Sequence, residues 1–132
     1  MSKPNPEDRY YSREHEWLMY YSDGTAVIGI TDYAQEMLTD IVFVDLPEVG
    51  RKVVQKATVA VVESVKSVSD IFAPVGGEAI DTNTKLEETP ELINQDAFGE
   101  GWIVKMRLSN PEELKMLLTA ADYDEMLREE KE

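Results

Sequence analysis

Hydrophobic and polar positions alternate close to the N-terminus, which is the pattern of a half-buried β-strand. Trp17 and Met19 lie on one side of this alternation. The dipeptide Asp23-Gly24 follows as a signal for a hairpin turn, after which residues 26–30 return as a second strand. The sequence therefore predicts an antiparallel pair of strands in this part of the chain.

A short helix and a further strand are predicted next. Thr31 has the side chain of a helix N-cap, and Asp32 suits the first helical turn, so we predict a helix over residues 32–38. β-Branched and aromatic residues dominate residues 41–46, and Pro47 ends this run. Residues 41–46 are therefore predicted to form a strand.

The longest strand-like stretch runs from Val53 to Val75 and contains neither glycine nor proline before Pro74. Strands seldom exceed about ten residues, so this stretch must bend. A polar interruption at residues 63–70 is the expected place for the bend. We therefore predict a β-hairpin with Lys66 and Ser67 at its tip.

The C-terminal half alternates short strands with brief helical segments. We predict a strand at 78–81, a helical turn capped by Thr89, a loop at 94–101, a strand at 102–108, helices that start near 110 and 120, and a frayed acidic end at 129–132. Many short strands with only brief helices indicate a mainly β fold of flattened barrel or sandwich form with a C-terminal helical segment. We expect a single domain over 1–132, with its core at about 10–109 and the C-terminal helices at about 111–128.

Composition excludes several classes of function. The 132 residues include no cysteine and a single histidine, so disulfides, thiolate nucleophiles and metal sites are not expected. A net charge of −14 repels phosphate backbones and argues against nucleic-acid binding. The same charge serves solubility or steers the chain toward basic partner surfaces, and the sequence leaves both interpretations open.

Targeting signals are also missing from the sequence pattern. No apolar run is long enough to cross a membrane, and prolines and acids interrupt the first residues where a signal peptide would be apolar. An arginine-rich transit peptide is not visible either. We therefore expect no membrane association and a cytoplasmic location.

Lys66 is the candidate functional residue. Most lysines at hairpin tips are solvated charges, but this one lies between two valines, with Glu63 three residues before it and Asp70 four residues after it. A hairpin tip holds one amine away from the body of the protein, where the active site of another protein can enclose it. This placement suits a lysine that is covalently modified.

The run Glu63-Ser64-Val65-Lys66-Ser67-Val68-Ser69-Asp70 resembles the lipoylation site of glycine cleavage H proteins. Other segments resemble the same family in the same order, namely His15-Glu16-Trp17, residues 29–35, residues 41–47, Ala73-Pro74-Val75 with Gly77-Glu78, residues 91–94, and Gly99-Glu100-Gly101-Trp102. The likeness covers about residues 10–127. Each segment alone is weak, but their shared order is specific. Ser67 stands where the family usually has alanine, which is a small change of size.

The resemblance implies a lipoyl-domain-like barrel-sandwich hybrid that is a carrier and not an enzyme. It implies lipoate joined to Lys66 by an amide, with Glu63, Ser67 and Asp70 around the base of the arm. The arm would take the aminomethyl group of glycine at glycine decarboxylase (P protein) and deliver it to a tetrahydrofolate-dependent aminomethyltransferase (T protein). Dihydrolipoamide dehydrogenase (L protein) would then reoxidise it. Lipoylating enzymes complete the expected partners, and we expect a monomer.

The resemblance further implies a pocket that shelters the cationic, loaded arm from water. Glu16 and Asp70 are the residues expected to line it. The plainer alternative is that both are ordinary surface acids, and the sequence does not decide between the two.

Alternative functions remain open. An H-like protein that stores or relays lipoyl groups for other lipoyl enzymes would have the same motifs. Lipoyl domains of 2-oxo acid dehydrogenases are shorter and precede other domains, and a biotin carrier has methionines beside its lysine. A stand-alone binding module with an unmodified lysine is the alternative from another class. No paired-carboxylate, triad or metal-ligand pattern favours an independent enzyme.

Overall fold

The computed structural model of the protein describes residues 4–131, and for residue 131 it describes the backbone alone. In chain order the strands are β1 (Tyr10–Tyr11), β2 (Glu16–Tyr20), β3 (Thr25–Ile30), β4 (Ile41–Asp45), β5 (Lys52–Val53), β6 (Thr58–Ser64), β7 (Val68–Phe72), β8 (Gly77–Thr82) and β9 (Val104–Leu108). The α-helices are α1 (Asp32–Leu38), α2 (Lys85–Glu88), α3 (Leu92–Gln95) and α4 (Ala120–Lys131). A 3₁₀-helix spans Pro111–Met116.

Two antiparallel sheets form the body of the fold. One sheet has six strands in the order β1-β2-β3-β9-β8-β5, and the other has three in the order β4-β6-β7. Ile28 and Met106 of the first sheet share one apolar core with Val62 of the second. The predicted mainly β fold is therefore confirmed, and its flattened form is that of two facing sheets that do not close into a barrel.

α1 spans the residues predicted for it, Asp32–Leu38. The Thr31 hydroxyl oxygen accepts a hydrogen bond from the backbone N–H of Ala34 at 3.2 Å, which is the expected N-cap bond. At the other end, Thr39 has a left-handed φ of 65°, which stops the helix and turns the chain toward β4.

The predicted hairpin around Lys66 is confirmed as well. β6 and β7 pair antiparallel, with Glu63 opposite Val68, and residues 65–67 connect the two strands. β4 pairs with the other side of β6 and brings Phe43 opposite Glu63. The three-stranded sheet is therefore built around the strand that leads into Lys66.

A second apolar cluster joins α4 to the first strands. Tyr123, Met126 and Leu127 lie on one face of α4, as expected for positions three and four residues apart. They pack on Tyr11 and Trp17, and the rings of Tyr11 and Tyr123 stack with their centroids 4.9 Å apart. Aromatic packing therefore holds α4 against β1 and β2.

The helices between β8 and β9 differ from the sequence-based expectation. α2 is not predicted by the sequence pattern, and Thr89 ends this helix instead of capping the next one. α3 includes Asn94 and Gln95, which the pattern places in a loop. Each helix is a single turn with one buried side chain, Leu86 or Ile93, and so leaves no periodic pattern in the sequence.

The segment after β9 is helical, but its form differs from the prediction. β9 begins at Val104, later than the predicted start at 102. Asn110 caps the following helix by accepting a hydrogen bond from the backbone N–H of Glu112 at 3.1 Å, yet this helix is of the 3₁₀ type. Two residues after the 3₁₀-helix ends, Leu118 is extended and forms an antiparallel bridge with Tyr11. The helical segment must therefore end before Leu118, and short helical segments are often of the 3₁₀ type.

α4 is longer than the sequence predicts. It continues to Lys131, so residues 129–131 are helical and not frayed, and Glu132 lies outside the described residues. No helix within residues 4–131 combines the length and the apolarity that crossing a membrane requires.

Candidate functional site

The side chain of Ser64 holds the turn that carries Lys66. The Ser64 hydroxyl oxygen accepts hydrogen bonds from the backbone N–H groups of Lys66 at 3.1 Å and Ser67 at 3.0 Å. The backbone N–H of Ser64 donates to the Ser67 carbonyl at 2.8 Å and closes the turn. The backbone is thus fixed on both sides of an exposed lysine side chain. Ser64 was not singled out from the sequence, although a serine at the start of a turn is a known signal.

The Lys66 side chain folds back onto the end of α1. Its Nζ donates to the Met37 carbonyl oxygen at 3.2 Å. Met37 lies in the last turn of α1, where carbonyl groups lack partners within the helix and the helix dipole is negative. The amine therefore has a defined resting position. An exposed hydrogen bond of this kind contributes little net free energy, so the side chain can leave readily.

A groove of about 240 Å³ opens beside this resting position. Its walls are α1, β7, the turn before β2, and the end of α4. Apolar lining comes from the side chains of Ile30, Ala34, Leu38 and Ile71. Carboxylate lining comes from Glu14, Asp70 and Glu130. The groove thus combines an apolar surface with concentrated negative charge, and Met37 connects it to the lysine amine.

His15 links the groove to α1 and α4 through a chain of hydrogen bonds. Its Nδ1 lies 2.7 Å from the Tyr123 hydroxyl, which lies 2.7 Å from the Thr31 hydroxyl. Its Nε2 lies 3.4 Å from a carboxylate oxygen of Glu130. A neutral imidazole with its proton on Nε2 is compatible with all of these contacts. Nε2 then donates to Glu130, the Tyr123 hydroxyl donates to Nδ1, and the Thr31 hydroxyl donates to the Tyr123 hydroxyl. Burial lowers the pKa of His15 and favours this neutral form.

Glu16 does not line the groove. It is 1% exposed, with one carboxylate oxygen accepting from the Ser12 hydroxyl and the other from the backbone N–H of Phe72 at 3.1 Å. Burial raises the pKa of Glu16 to about 7, although the two hydrogen bonds act in the opposite direction. Glu16 therefore ties β2 to the end of β7, and a role of Glu16 with Asp70 in sheltering the arm stays a prediction. Glu14 lines the groove instead.

The other residues singled out from the sequence lie near the arm. Asp70 is exposed on β7 and lines the groove. Glu63 lies on β6 between Phe43 and Val68 of the neighbouring strands. Ser67 is in the turn and contributes its backbone to the bonds with Ser64. Glu14 and Glu130 complete the acidic lining, and neither was expected from the sequence.

Comparison with known proteins gives a consistent result. The family model described as Glycine cleavage H-protein matches residues 9–130. The glycine cleavage system H protein of Symbiobacterium thermophilum is 54% identical over 124 residues, covering 94% of this chain and 96% of that protein. The H protein of Thermus thermophilus is 53% identical over 125 residues, covering 95% and 97%. The crystal structure of a glycine cleavage system H protein from Mycobacterium marinum has a TM-score of 0.86 at 37% identity, covering 94% of this chain and 99% of that one.

Proposed function

The chain belongs to the glycine cleavage H-protein family, and on that premise we propose that it is a lipoyl-carrying shuttle of the glycine cleavage system. It serves P protein, T protein and L protein in turn as a carrier and not as an enzyme. The observation that carries the proposal is the exposed amine of Lys66, at the centre of a tightly bonded turn and beside an acidic groove. A monomer, a single lipoyl-carrier domain over 1–132 and a cytoplasmic location belong to the same proposal.

The surroundings of Lys66 fit a lipoyl group joined to the amine. Amide formation removes the ammonium charge, while the amide N–H retains the ability to donate to the Met37 carbonyl. The apolar lining of the groove, with Ile30 and Ile71, suits the hydrocarbon part of the arm. When attached, the dithiolane supplies the redox sulfurs that a chain without cysteine lacks and carries the aminomethyl group of glycine between enzymes.

The groove residues hold and shelter the loaded arm. Glu14, Asp70 and Glu130 line the groove and attract a cationic amine that enters it. The apolar walls reduce the access of water to the arm. Because the arm is tethered at Lys66, each partner meets it at a high local concentration.

We expect the variant Glu14→Gln/Asp70→Asn to shorten the lifetime of the aminomethyl-loaded arm by a factor of about three to ten, because the groove loses two carboxylates. Release of ammonia and formaldehyde from the loaded protein, followed at fixed pH, measures this lifetime. Asp45→Asn/Glu48→Gln removes the same charge from two exposed acids outside the groove and is the matched control. Equal lifetimes of the loaded arm in the groove variant and the control variant would contradict a sheltering role of the groove.

Reconstitution tests the shuttle itself. The lipoylated chain is expected to support decarboxylation of glycine with P protein, T protein and L protein, whereas the chain without lipoate is not. A lipoylated chain that supports no glycine turnover but passes lipoyl groups to other lipoyl enzymes would replace the shuttle with the relay.

A further inference from the structure

The side chain of Asn94 joins three elements next to residues 64–67, which we call the arm turn. Its Oδ1 accepts a hydrogen bond from the backbone N–H of Ile41 at 2.9 Å, and its Nδ2 donates to the Thr39 carbonyl oxygen at 2.8 Å. The same Nδ2 donates to Oε1 of Gln35 at 2.9 Å. One amide on α3 therefore uses its acceptor and both of its donors on α1, on β4 and on the connection between them.

The connection from α1 to β4 needs support from outside. Thr39 has a left-handed φ of 65°, which is uncommon and unfavourable for a β-branched residue. Such a conformation persists only where the surrounding structure holds it. The Asn94 amide binds this residue through its carbonyl oxygen and binds Ile41 two positions later, so it holds both ends of the connection.

α3 gives Asn94 a firm base. Ile93, the residue before Asn94, is fully buried in the core between the sheets. The backbone of Gly101 packs so closely on α3 that a Cβ atom at this glycine would lie 2.8 Å from the Cα of Ile93. A close-packed element of this kind does not shift easily, so Asn94 projects from a fixed position.

Asp40 links the connection to the arm turn. It lies between the two backbone groups that Asn94 binds, and its carbonyl oxygen accepts a hydrogen bond from the backbone N–H of Val65 at 3.0 Å. Ile41, which follows, is paired with Ser64, the residue whose hydroxyl closes the turn. The arm turn therefore rests on the segment that Asn94 holds.

The same segment also continues into the wall of the groove. Met37 and Leu38 line the groove, and the Met37 carbonyl oxygen accepts from Lys66 Nζ at 3.2 Å. Asn94 binds one residue on each side of this pair, while it lies outside the groove lining itself. The base of the arm and one wall of its groove are thus held in register by a single side chain.

We propose that Asn94 is a positioning residue for the lipoyl arm, an inference that rests on the proposed function. It keeps the arm turn and the end of α1 in one fixed relation, so that an arm on Lys66 is directed along the groove. A flexible arm samples many directions, and a fixed base raises the share of conformations that enter the groove. Loss of Asn94 reduces that share and removes no group that lines the groove.

Two substitutions of Asn94 and one matched control test the proposal. Asn94→Ala removes all three hydrogen bonds, whereas the milder Asn94→Asp keeps an oxygen for the Ile41 N–H and loses the donor to the Thr39 carbonyl. Asn110→Ala is the control, because Asn110 also accepts from a backbone N–H, that of Glu112, but caps the 3₁₀-helix outside the groove lining. All variants are compared below their unfolding temperatures.

Hydrogen exchange of the Val65 backbone N–H, followed by NMR on the chain without lipoate, is the first measurement. We expect Asn94→Ala to speed this exchange at least about fivefold, because the Asp40 carbonyl that accepts from it is no longer held in place. Asn94→Asp should speed it by a smaller factor, and Asn110→Ala should leave it unchanged. A general loss of stability would instead speed exchange alike in all variants.

The second measurement uses the lipoylated chain. We expect the aminomethyl-loaded arm of Asn94→Ala to release ammonia and formaldehyde about two to five times faster than that of the unsubstituted chain, because the arm is outside the groove for longer. The chain contains no cysteine, so a thiol reagent reacts with the arm alone. Its reaction with the free sulfur of the loaded arm should speed by a similar factor, with Asn110→Ala unchanged.

Unchanged Val65 exchange in Asn94→Ala, equal effects of Asn94→Ala and Asn110→Ala, or faster exchange with an unaltered loaded arm would each overturn the positioning role. An unsubstituted chain that gains no lipoyl group would overturn the proposed function instead. The exchange of the Val65 N–H is measured without lipoate, so the two failures are distinguishable.

Discussion

Replacement of Lys66 by arginine is expected to reduce glycine-dependent turnover in the reconstituted system to the rate seen without the chain. The guanidinium keeps the positive charge and can reach the Met37 carbonyl that now accepts from Lys66 Nζ at 3.2 Å. It does not provide the amine that is acylated, so the arm is lost while the fold is kept. Decarboxylation of labelled glycine with P protein, T protein and L protein measures the effect.

Lys115→Arg is the matched control for this experiment. Lys115 is also exposed, and its Nζ lies 2.8 Å from a carboxylate oxygen of Glu112. Turnover with this variant should equal that of the unsubstituted chain, and circular dichroism should be the same for all three proteins. A Lys66→Arg chain that still supports turnover would show that the group is carried elsewhere.

Removal of the Glu16 carboxylate is expected to change how stability depends on pH. Burial raises the pKa of Glu16 from 4.5 to about 7 in the folded chain. Because the folded state binds this proton more tightly, Glu16 stabilises the fold fully below about pH 4.5, and this contribution is lost as pH rises through about 7. Relative to the unsubstituted chain, Glu16→Gln should gain about 3 kcal/mol of unfolding free energy between about pH 4.5 and about pH 8.

Urea unfolding of both proteins at a series of pH values measures this difference. His15 acts with the opposite sign, because burial lowers its pKa and its contribution is lost as pH falls, but it is present in both proteins and cancels. Glu48→Gln, which changes an exposed acid outside the groove, should leave the pH dependence of the unsubstituted chain in place. A free-energy difference between Glu16→Gln and the unsubstituted chain that does not vary with pH would contradict the burial of a proton at Glu16.

Local signals in the sequence were sufficient for the elements that carry Lys66. Thr31 supplies the N-cap hydroxyl of α1, so the helix begins where it is predicted to begin. The bend in the long strand-like stretch follows from its polar interruption, and residues 65–67 connect β6 to β7 there. In these places local signals in the sequence are sufficient to predict the element.

Distant contacts decide the elements that were missed or changed. α2 and α3 are single turns that depend on burying Leu86 and Ile93 in the core between the sheets. The 3₁₀-helix is short because Leu118 must pair with Tyr11, more than a hundred positions earlier in the chain. α4 persists to Lys131 because its apolar face packs on β1 and β2. None of these partners is visible within a local window of sequence.

The groove was only partly predictable for a similar reason. Asp70 is four residues after Lys66 in sequence, and the structure places it on β7 in the lining of the groove. Glu14 lines the groove whereas Glu16 is buried, and His15 between them has a left-handed φ of 74°. That conformation is uncommon for a residue other than glycine, so the sequence does not predict the backbone conformation of the turn before β2. Glu130 reaches the groove only through the packing of α4.

The most direct test of the central claim is the mass of the chain after expression together with a lipoylating system, followed by peptide mapping. One lipoyl group per chain is expected, on the peptide that contains Lys66. A chain without added mass, or one that has its lipoyl group on another lysine while Lys66 stays free, would contradict the assignment of Lys66 as the attachment point of the arm.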